Sequence, residues 1–411
     1  MMRNPEGIRN PLNIIVIVAA LGYFVDNCDL ILFGIVKDPS LRELGVAEGD
    51  LFRVGGHLLM MQMLGMLVGG IVWGILGDKR GRLSTLFMTI LIYSLANIAN
   101  GFVQNIPQYS WMRFISGFGL AGELGVGITL VSEVMSRESR GLGTSMVSGI
   151  GILGAIVAYT VAEGFNWRIA YFAGGGLGLI LLVLRIAVYE SGMFKKAKEE
   201  KISRGDFFIL FKKGSRFKNY IFLILSGLPV WFVIGVLVIH ASTFAKEALF
   251  IKGPVKGSTS VMLHYIGAAF GSLIFGFLSK KWKSRKKALY AAILGMVIFT
   301  FLYFFLKRIS PFTFYSMLFL MGIPMCGLWA IFVTTASEMF GTNIRATVTT
   351  TAPNFIRGST VPIILYLNFL NPYLGIWGSG LVVGITCALI ALFSVIMLQE
   401  TYNRNLDYSE M

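Results

Sequence analysis

Histidine and cysteine are scarce in this chain of 411 residues, which contains three of each. No His-x-x-x-His or Gly-x-Ser-x-Gly pattern is present, and the cysteines have no paired spacing. These absences argue against zinc sites, disulfides and a serine nucleophile. No Gly-x-x-x-x-Gly-Lys-Ser/Thr loop is present either, which argues against ATP as an energy source. We therefore expect no catalytic residue, no metal and no cofactor, and a protein that is not an enzyme.

Charged residues are also scarce, at 14%, whereas hydrophobic residues make up 55% and mean hydropathy is +0.72. A helix needs about 20 apolar residues to cross about 30 Å of hydrocarbon. The sequence predicts an all-α membrane protein with twelve spans. The predicted spans are 11–36, 54–76, 83–103, 109–135, 141–163, 168–189, 219–245, 258–279, 286–306, 312–338, 344–369 and 373–399. Little chain remains for a soluble domain, so composition alone leaves a channel, a transporter or a membrane-buried enzyme, and the missing motifs argue against the enzyme.

The net charge of +15 reflects topology rather than nucleic-acid binding. If the N-terminus is cytoplasmic, 24 of the 36 lysines and arginines fall on the cytoplasmic side and 9 on the opposite side. The positive-inside rule then predicts that both termini are cytoplasmic. We expect a multi-pass protein of the cell inner membrane that does not bind nucleic acid.

The chain divides into two similar halves. Residues 190–218 contain nine basic and four acidic residues and separate two six-helix bundles, 1–189 and 219–411. Glycine-rich segment 69–77 matches 271–279 at an offset of 202, and the pair Ser132-Glu133 matches Ser337-Glu338 at an offset of 205. Related bundles of six spans are typical of a transporter whose substrate site lies between the halves.

A charged turn, Gly77-Asp78-Lys79-Arg80-Gly81-Arg82, joins the second and third predicted spans. Asp78 can lie at the N-terminus of a neighbouring helix, where negative charge is favoured. Arg80 and Arg82 can reach Glu133. The alternative is a solvated basic turn without a switching role. The predicted cytoplasmic gate comprises Asp78, Arg80, Arg82, Glu133 and Arg140, with Glu338 and Arg345 in the second half.

These motifs resemble the major facilitator superfamily, and the resemblance covers the whole chain. Within it, the chain is most similar to metabolite:proton symporters, near the sugar porters and the aromatic acid:proton symporters. Three motifs support this resemblance: Asp26-Asn27-Cys28-Asp29-Leu30, Ala121-Gly122-Glu123, and Arg345 with Asn354 and the 358–362 segment. The resemblance implies twelve spans and alternating access coupled to protons. Two departures are Asn27-Cys28, where those symporters carry Trp-Tyr, and the charge at Arg357.

A charge at mid-bilayer costs about 2.5–3.5 kcal/mol on insertion scales, so each intramembrane charge needs a partner or a water-filled cavity. Asp26 and Asp29 share one helical face and are candidates for proton coupling. The alternative is that one of them only bonds a neighbouring helix. Arg113 is expected to pair with a span-one carboxylate or to extend outward to the interface. Glu123 is either a second protonation site or a packing contact.

Arg357 lies mid-span between Pro353 and Pro362, where freed carbonyls suit a cavity lining. Its guanidinium suits a carboxylate, either of an anionic or zwitterionic substrate or of the first half. The predicted substrate-binding set is completed by seven further residues: Arg113, Asn354, His264, Tyr265, Trp231, Trp329 and Gln62.

The leading hypothesis is proton-coupled uptake of a small carboxylate-bearing or zwitterionic metabolite by alternating access. Proton-antiport efflux of drugs or siderophores, and a nutrient sensor without transport, are the alternatives. The expected partners are the small-molecule substrate, protons and the lipid bilayer, and the protein is expected to be a monomer.

Overall fold

The computed structural model describes residues 14–80, 82–123, 125, 127–128, 131, 135, 140–190, 209–341 and 344–404. The described chain is nearly all helical. In the first half, span one is Ile14–Glu43, span two Leu51–Arg80, span three Arg82–Asn100 and span six Trp167–Glu190. Span four begins as Ile106–Leu120, and span five comprises Arg140–Ile152 and Gly154–Gly164.

The second half begins with a short helix, Ile209–Lys212, followed by an irregular span seven. Span seven comprises Gly214–Ser226, Leu228–Phe232, a π-helical stretch Val233–Val238, Ala241–Thr243 and a second π-helical stretch Phe244–Ala248. Spans eight, nine and ten are Gly257–Trp282, Arg285–Phe305 and Pro311–Met339. Span eleven begins as Arg345–Gly358 and continues into the long helix Thr360–Met397, which contains span twelve.

Nine helical segments of the described chain are long and apolar enough to cross a membrane. The nine segments are three fewer than the twelve predicted spans, and each of the three has an identifiable reason. Span three is shorter, span four is described only in part, and Thr347–Met397 holds spans eleven and twelve together. A non-helical Gly375, with φ of +64°, separates the last two. The domain boundaries at 190 and 218 remain predictions, although the helix of span seven begins earlier, at Gly214.

The two halves repeat the same close helix packing. In the first half, a Cβ at Gly65 would lie 2.0 Å from the carbonyl oxygen of Phe114, and spans two and four touch backbone to backbone. In the second half, a Cβ at Gly267 would lie 1.9 Å from the carbonyl oxygen of Phe319 between spans eight and ten. Gly65 and Gly267 differ by 202 positions, the offset of the sequence repeat. Small residues permit such close approach in membranes, so the repeat has a structural counterpart.

The bundle has two ends, which we name by what they carry. The linker face is the end at which span six stops before residues 191–208, and it also carries the starts of spans nine and eleven. The vestibule face carries the segments 44–50, 101–106, 164–167 and 249–257. Its connections are joined by polar contacts, including Arg168 with Glu43 at 3.0 Å and the backbone bond from Arg308 to Leu249.

Contacts between the halves close the linker-side part of the bundle. The Asn354 amide of span eleven donates to the carbonyl of Ala121 at 2.7 Å, where span four is interrupted. Thr144 and Thr334 join spans five and ten at 3.1 Å. On the opposite side, a wide vestibule of about 1260 Å³ opens between the halves. Among the described residues, the two halves are therefore in contact on the linker side and separate into the vestibule on the opposite side.

Candidate functional site

A small cavity lies at the interface between the halves. Its volume is about 20 Å³, roughly the room for one water molecule. The cavity is lined by side chains from spans one, five, seven, eight, ten and eleven. They are Tyr23, Asn27, Leu30, Ile152, Val230, Trp231, Ile234, Tyr265, Met325, Cys326, Trp329 and Arg357. Four of the predicted substrate-binding residues, Trp231, Tyr265, Trp329 and Arg357, thus come together in one place.

An ion pair between the halves lies beside this cavity. Arg357 Nη2 is 3.6 Å from Asp26 Oδ2, and both side chains are buried. This separation is longer than a hydrogen bond, so the two groups are held by charge alone. Within the described chain neither Asp26 oxygen has a hydrogen-bond partner. A buried ion pair whose members share no hydrogen bond recovers little of its desolvation cost, which leaves the carboxylate and the guanidinium ready to accept another partner.

Aromatic side chains fix the position of the guanidinium. Arg357 lies over the ring of Trp329, with 5.6 Å between its Cζ and the ring centroid. The indole of Trp329 donates to the hydroxyl of Tyr23 at 3.0 Å, which joins span ten to span one. The cavity therefore combines one cation with flat aromatic walls, a lining that fits a planar anion.

Asn354 is not a cavity-lining residue. Its amide nitrogen donates to the carbonyls of Ala121 and Thr350, both at 2.7 Å, and its Oδ1 accepts from Arg357 Nη1 at 3.3 Å. It therefore positions Arg357 and joins the halves. The sequence predicted it in the substrate-binding set, where its geometry gives it only an indirect part.

Asp29 and Arg113 form a separate polar cluster inside the first half. Both side chains are fully buried, so Arg113 does not extend outward to the interface. The Arg113 charge lies within electrostatic range of Asp29, and its Nη1 donates to the Tyr171 hydroxyl at 3.5 Å. Its guanidinium also lies over the ring of Phe33, 4.8 Å from the centroid. Neither Asp29 nor Arg113 lines the central cavity.

Three other predicted residues lie away from the cavity wall. His264 is buried and places Nδ1 3.0 Å from the carbonyl oxygen of Leu318, within the second half. Gln62 is buried where the backbone of Gly117 packs on it. Glu123 is buried within electrostatic range of Asp26, so a second acid lies near the ion pair between the halves.

A constriction separates the cavity from the vestibule. A Cβ at Gly34 would lie 3.2 Å from the Ile239 side chain, so spans one and seven meet closely there. Lys37 Nζ donates to the Ile239 carbonyl at 3.3 Å and lies 3.2 Å from His240 Nδ1. This carbonyl follows a π-helical stretch, where the regular ladder is interrupted. Lys37 therefore ties the two halves together above the cavity.

On the linker face, Glu338 binds Arg285. The pair is bidentate, with distances of 3.0 and 2.8 Å, and Thr401 donates to the same carboxylate at 3.0 Å. The sequence grouped Glu338 with Arg345, whose Nη2 donates to the carbonyl of Phe340 at 3.4 Å. The remaining predicted gate residues lie outside the described side chains: Asp78, Arg80, Arg82, Glu133 and Arg140.

Four contributors to these contacts were not singled out from the sequence: Tyr23, Lys37, Tyr171 and Arg285. Lys37 was counted only as a basic residue outside the membrane. Lys37 directly follows the apolar run of span one, so the sequence indicates a place at the membrane surface. Neither its burial nor its partner on span seven can be read from sequence. The tyrosines carried no signal, since a tyrosine in a span is ordinary.

Two related six-helix halves are typical of a membrane transporter, and the cavity between them is lined mainly by aromatic and aliphatic side chains around one arginine. The sequence profile of the Major Facilitator Superfamily matches residues 19–360, and the chain belongs to that family. The structure of the proton:xylose symporter XylE, bound to 6-bromo-6-deoxy-D-glucose, shares the fold, with a TM-score of 0.71 and 16% identity. That likeness covers 95% of this chain and 97% of the symporter chain.

Relatives of similar length are carriers of small metabolites. The chain is 25% identical over 390 residues to the probable 4-methylmuconolactone transporter of Cupriavidus pinatubonensis, covering 92% of this chain and 89% of that protein. It is 25% identical over 357 residues to the putative niacin/nicotinamide transporter NiaP of Bacillus subtilis, covering 83% and 84%. It is 21% identical over 373 residues to the benzoate transport protein of Acinetobacter baylyi, covering 81% and 78%.

Proposed function

We propose that this transporter takes up a small planar carboxylate, of the aromatic or heteroaromatic acid class, together with protons. The observation that carries the proposal is the Asp26–Arg357 pair at the cavity between the halves, 3.6 Å apart and not hydrogen-bonded. A substrate carboxylate would compete with Asp26 for the guanidinium. The likeness to proteins named as niacin/nicotinamide and benzoate transporters supports this substrate class.

Proton coupling follows from the same competition. When Asp26 is ionised, it neutralises Arg357, and a second carboxylate entering the cavity would bring excess negative charge into a dry site. When Asp26 binds a proton, Arg357 is free for the substrate carboxylate, and the cavity stays neutral overall. Occluding an unpaired charge is costly in a bilayer, so the substrate is expected to enter together with a proton.

Alternating access would then depend on the contacts between the halves. The cavity of about 20 Å³ is too small for an aromatic acid, so spans seven and ten must move before the substrate can bind. Release of Lys37 from Ile239 would open the cavity to the vestibule. Release of Asn354 from Ala121 would open the cavity to the linker face. We place the linker face in the cytoplasm, and the protein, as a monomer, in the inner membrane of the cell.

Uptake by proteoliposomes tests this proposal. Purified protein is reconstituted and challenged with radiolabelled benzoate, nicotinate, sialic acid and xylose, with and without an inwardly directed pH gradient. We expect an aromatic acid to accumulate, and the acid gradient to drive its uptake. Accumulation of xylose alone, or export of the tested compounds against the gradient, would overturn the proposal in favour of a sugar carrier or of antiport efflux.

A further inference from the structure

A chain of hydroxyl groups runs through the interior of the first half. Ser40 Oγ lies 3.4 Å from the Tyr109 hydroxyl, which lies 2.6 Å from the Tyr171 hydroxyl. Arg113 Nη1 donates to the Tyr171 hydroxyl at 3.5 Å, and Asp29 lies within electrostatic range of both. All five side chains are buried. Spans one, four and six each supply members, so the chain belongs to one half of the transporter.

The outer end of this chain lies directly beneath the vestibule. Trp167 lines the vestibule and stacks on Tyr109, with 6.0 Å between ring centroids and 27° between ring planes. Its indole donates to Glu43 at 2.6 Å, which fixes the ring over the chain. Ser40 follows Pro39, another vestibule residue. The hydroxyl chain is therefore separated from the vestibule by little more than the Trp167 ring.

The inner end contains polar atoms that the protein itself does not satisfy. In the part of the chain that the structure describes, no hydrogen-bond partner lies near either oxygen of Asp29, Nε and Nη2 of Arg113, or Nδ2 of Asn97. Asn97 is the neighbouring polar side chain that interacts with the Asp29 carboxylate. Buried polar groups are normally paired with protein or with ordered water. The cluster thus presents donors and acceptors for which ordered water is a suitable partner.

The central cavity offers Asp29 no comparable access. Asp26 lies by that cavity through its pair with Arg357, whereas Asp29 lines neither the cavity nor the vestibule. Its carboxylate instead packs on span six, where a Cβ at Gly174 would lie 2.5 Å from Asp29 Oδ1. Asp29 therefore faces the interior of its own half.

We propose that Asp29 exchanges protons with the vestibule through the Tyr109–Tyr171 hydroxyl pair, by a route that is separate from the substrate cavity. Each hydroxyl accepts a proton on an oxygen lone pair as it passes its own proton on, and ordered water completes the last step to the carboxylate. No bond other than O–H is made or broken. Arg113 stays protonated throughout, because a guanidinium does not release its proton in proteins. It is a positioning residue that orients Tyr171.

This inference rests on the proposed proton-coupled uptake. It assigns substrate binding and proton entry to two different places in the transporter. Substrate would enter between the halves and meet Arg357. A proton would enter at Asp29 inside the first half, even while the cavity is occupied, and pass on to Asp26, which lies within electrostatic range of Asp29. A proton path that avoids the substrate site allows the transporter to load both without one blocking the other.

Tyr171→Phe tests the route, because it removes only the middle hydroxyl. Two rates are measured in proteoliposomes with the aromatic acid that the wild type accumulates: net uptake driven by a pH gradient, and counterflow of labelled for unlabelled substrate, which needs no net proton movement. We expect Tyr171→Phe to slow net uptake about tenfold or more while counterflow stays within about twofold of wild type. Tyr109→Phe should behave in the same way.

Tyr303→Phe is the matched control. Its hydroxyl is buried in the second half and donates to the carbonyl of Leu237 at 3.2 Å, outside the hydroxyl chain. This variant should leave the ratio of net uptake to counterflow unchanged. Equal losses of both rates in Tyr171→Phe, or no loss of either, would overturn the route. Wild-type protein that shows no gradient-driven uptake would instead overturn the proposed function, and the route with it.

Discussion

The guanidinium of Arg357 brings a fixed positive charge into a cavity with room for about one water molecule. Truncating one member of a buried, charged contact costs about 2–5 kcal/mol, which corresponds to about 30-fold or more in affinity. We expect Arg357→Ala to weaken substrate binding by at least that factor, as measured by uptake and by calorimetry with purified protein. Arg357→Lys keeps the charge but loses the planar pair of N–H donors that can bind both oxygens of a carboxylate, so it should recover only part of the affinity.

Trp231→Gln provides a comparison at the same cavity, because it removes an aromatic wall without changing the charge. Substrate affinity should fall while its dependence on pH remains. Full affinity in Arg357→Ala would contradict the assignment of Arg357 as the carboxylate-binding residue.

Gly174 provides room for the Asp29 carboxylate. An added methyl at this position would lie 2.5 Å from Oδ1, too close for either group to stay in place. Overpacking of this kind costs about 1–3 kcal/mol. Gly174→Ala should lower the thermal unfolding temperature and reduce gradient-driven uptake. Gly176→Ala is the control on the same helix, because a Cβ there would meet nothing within 4 Å. Equal behaviour of the two variants would contradict a specific role for the Asp29 environment.

Spans two and eleven, one from each half, approach closely on the linker side of the cavity. A Cβ at Gly70 would lie 2.7 Å from the Cβ of Asn354, whereas a Cβ at Gly74 would lie 3.5 Å from the Thr351 side chain, an ordinary contact. Gly70→Ala must therefore separate the two helices, and Gly74→Ala need not. We expect Gly70→Ala to shift the protein towards a state that is open at the linker face.

Spin labels on the two halves, at Ser84 and Lys287, would report this opening as a longer distance in Gly70→Ala than in wild type. Both side chains are exposed on the linker face. An unchanged distance distribution in Gly70→Ala would show that this contact does not hold the linker face closed.

The segment after span twelve caps the start of span nine. Glu400 accepts bonds from the Ser284 hydroxyl and from the backbone N–H groups of Arg285 and Lys286, which the helix leaves without partners. Partial burial raises the pKa of Glu400, but these hydrogen bonds outweigh it and hold the pKa below its usual value. A carboxylate with a lowered pKa stabilises the fold at neutral pH.

This contribution should disappear as the pH falls below the ordinary glutamate pKa of about 4.3 and through the lower folded value. Glu400→Gln cannot titrate, so its unfolding temperature should be lower than that of wild type at pH 7 and the difference should shrink towards pH 3. Thermal unfolding in detergent across this range measures the effect. A difference that does not change with pH would contradict it.

At the scale of the whole molecule, much of the architecture could be predicted from sequence. The apolar runs predicted the spans, and the repeat at an offset of 202 reappears in the glycine contacts of Gly65 and Gly267. Arg357, Trp231 and Trp329 were recognisable because a charge between prolines, or a tryptophan far from a span end, is unusual in a membrane helix.

The partners of the buried charged side chains could not be predicted, because they depend on which helices are in contact and a single sequence does not show this. Glu338 stands seven residues before Arg345 in the chain, yet its bidentate partner is Arg285, 53 positions away. Lys37 meets a carbonyl 202 positions distant, exposed by a π-helical stretch that hydrophobic periodicity does not reveal. Local spacing indicated which residues were costly to bury, and only the packed bundle indicates their partners.

Substrate-driven proton movement is the most direct measurement. Proteoliposomes containing wild-type protein and an internal pH dye are given the aromatic acid that they accumulate, with no initial pH gradient. We predict acidification of the lumen that follows substrate entry, and its loss in Asp26→Asn, which leaves Arg357 permanently free. Substrate entry without acidification in the wild type, or equal acidification in Asp26→Asn, would contradict the coupling of proton and carboxylate at this ion pair.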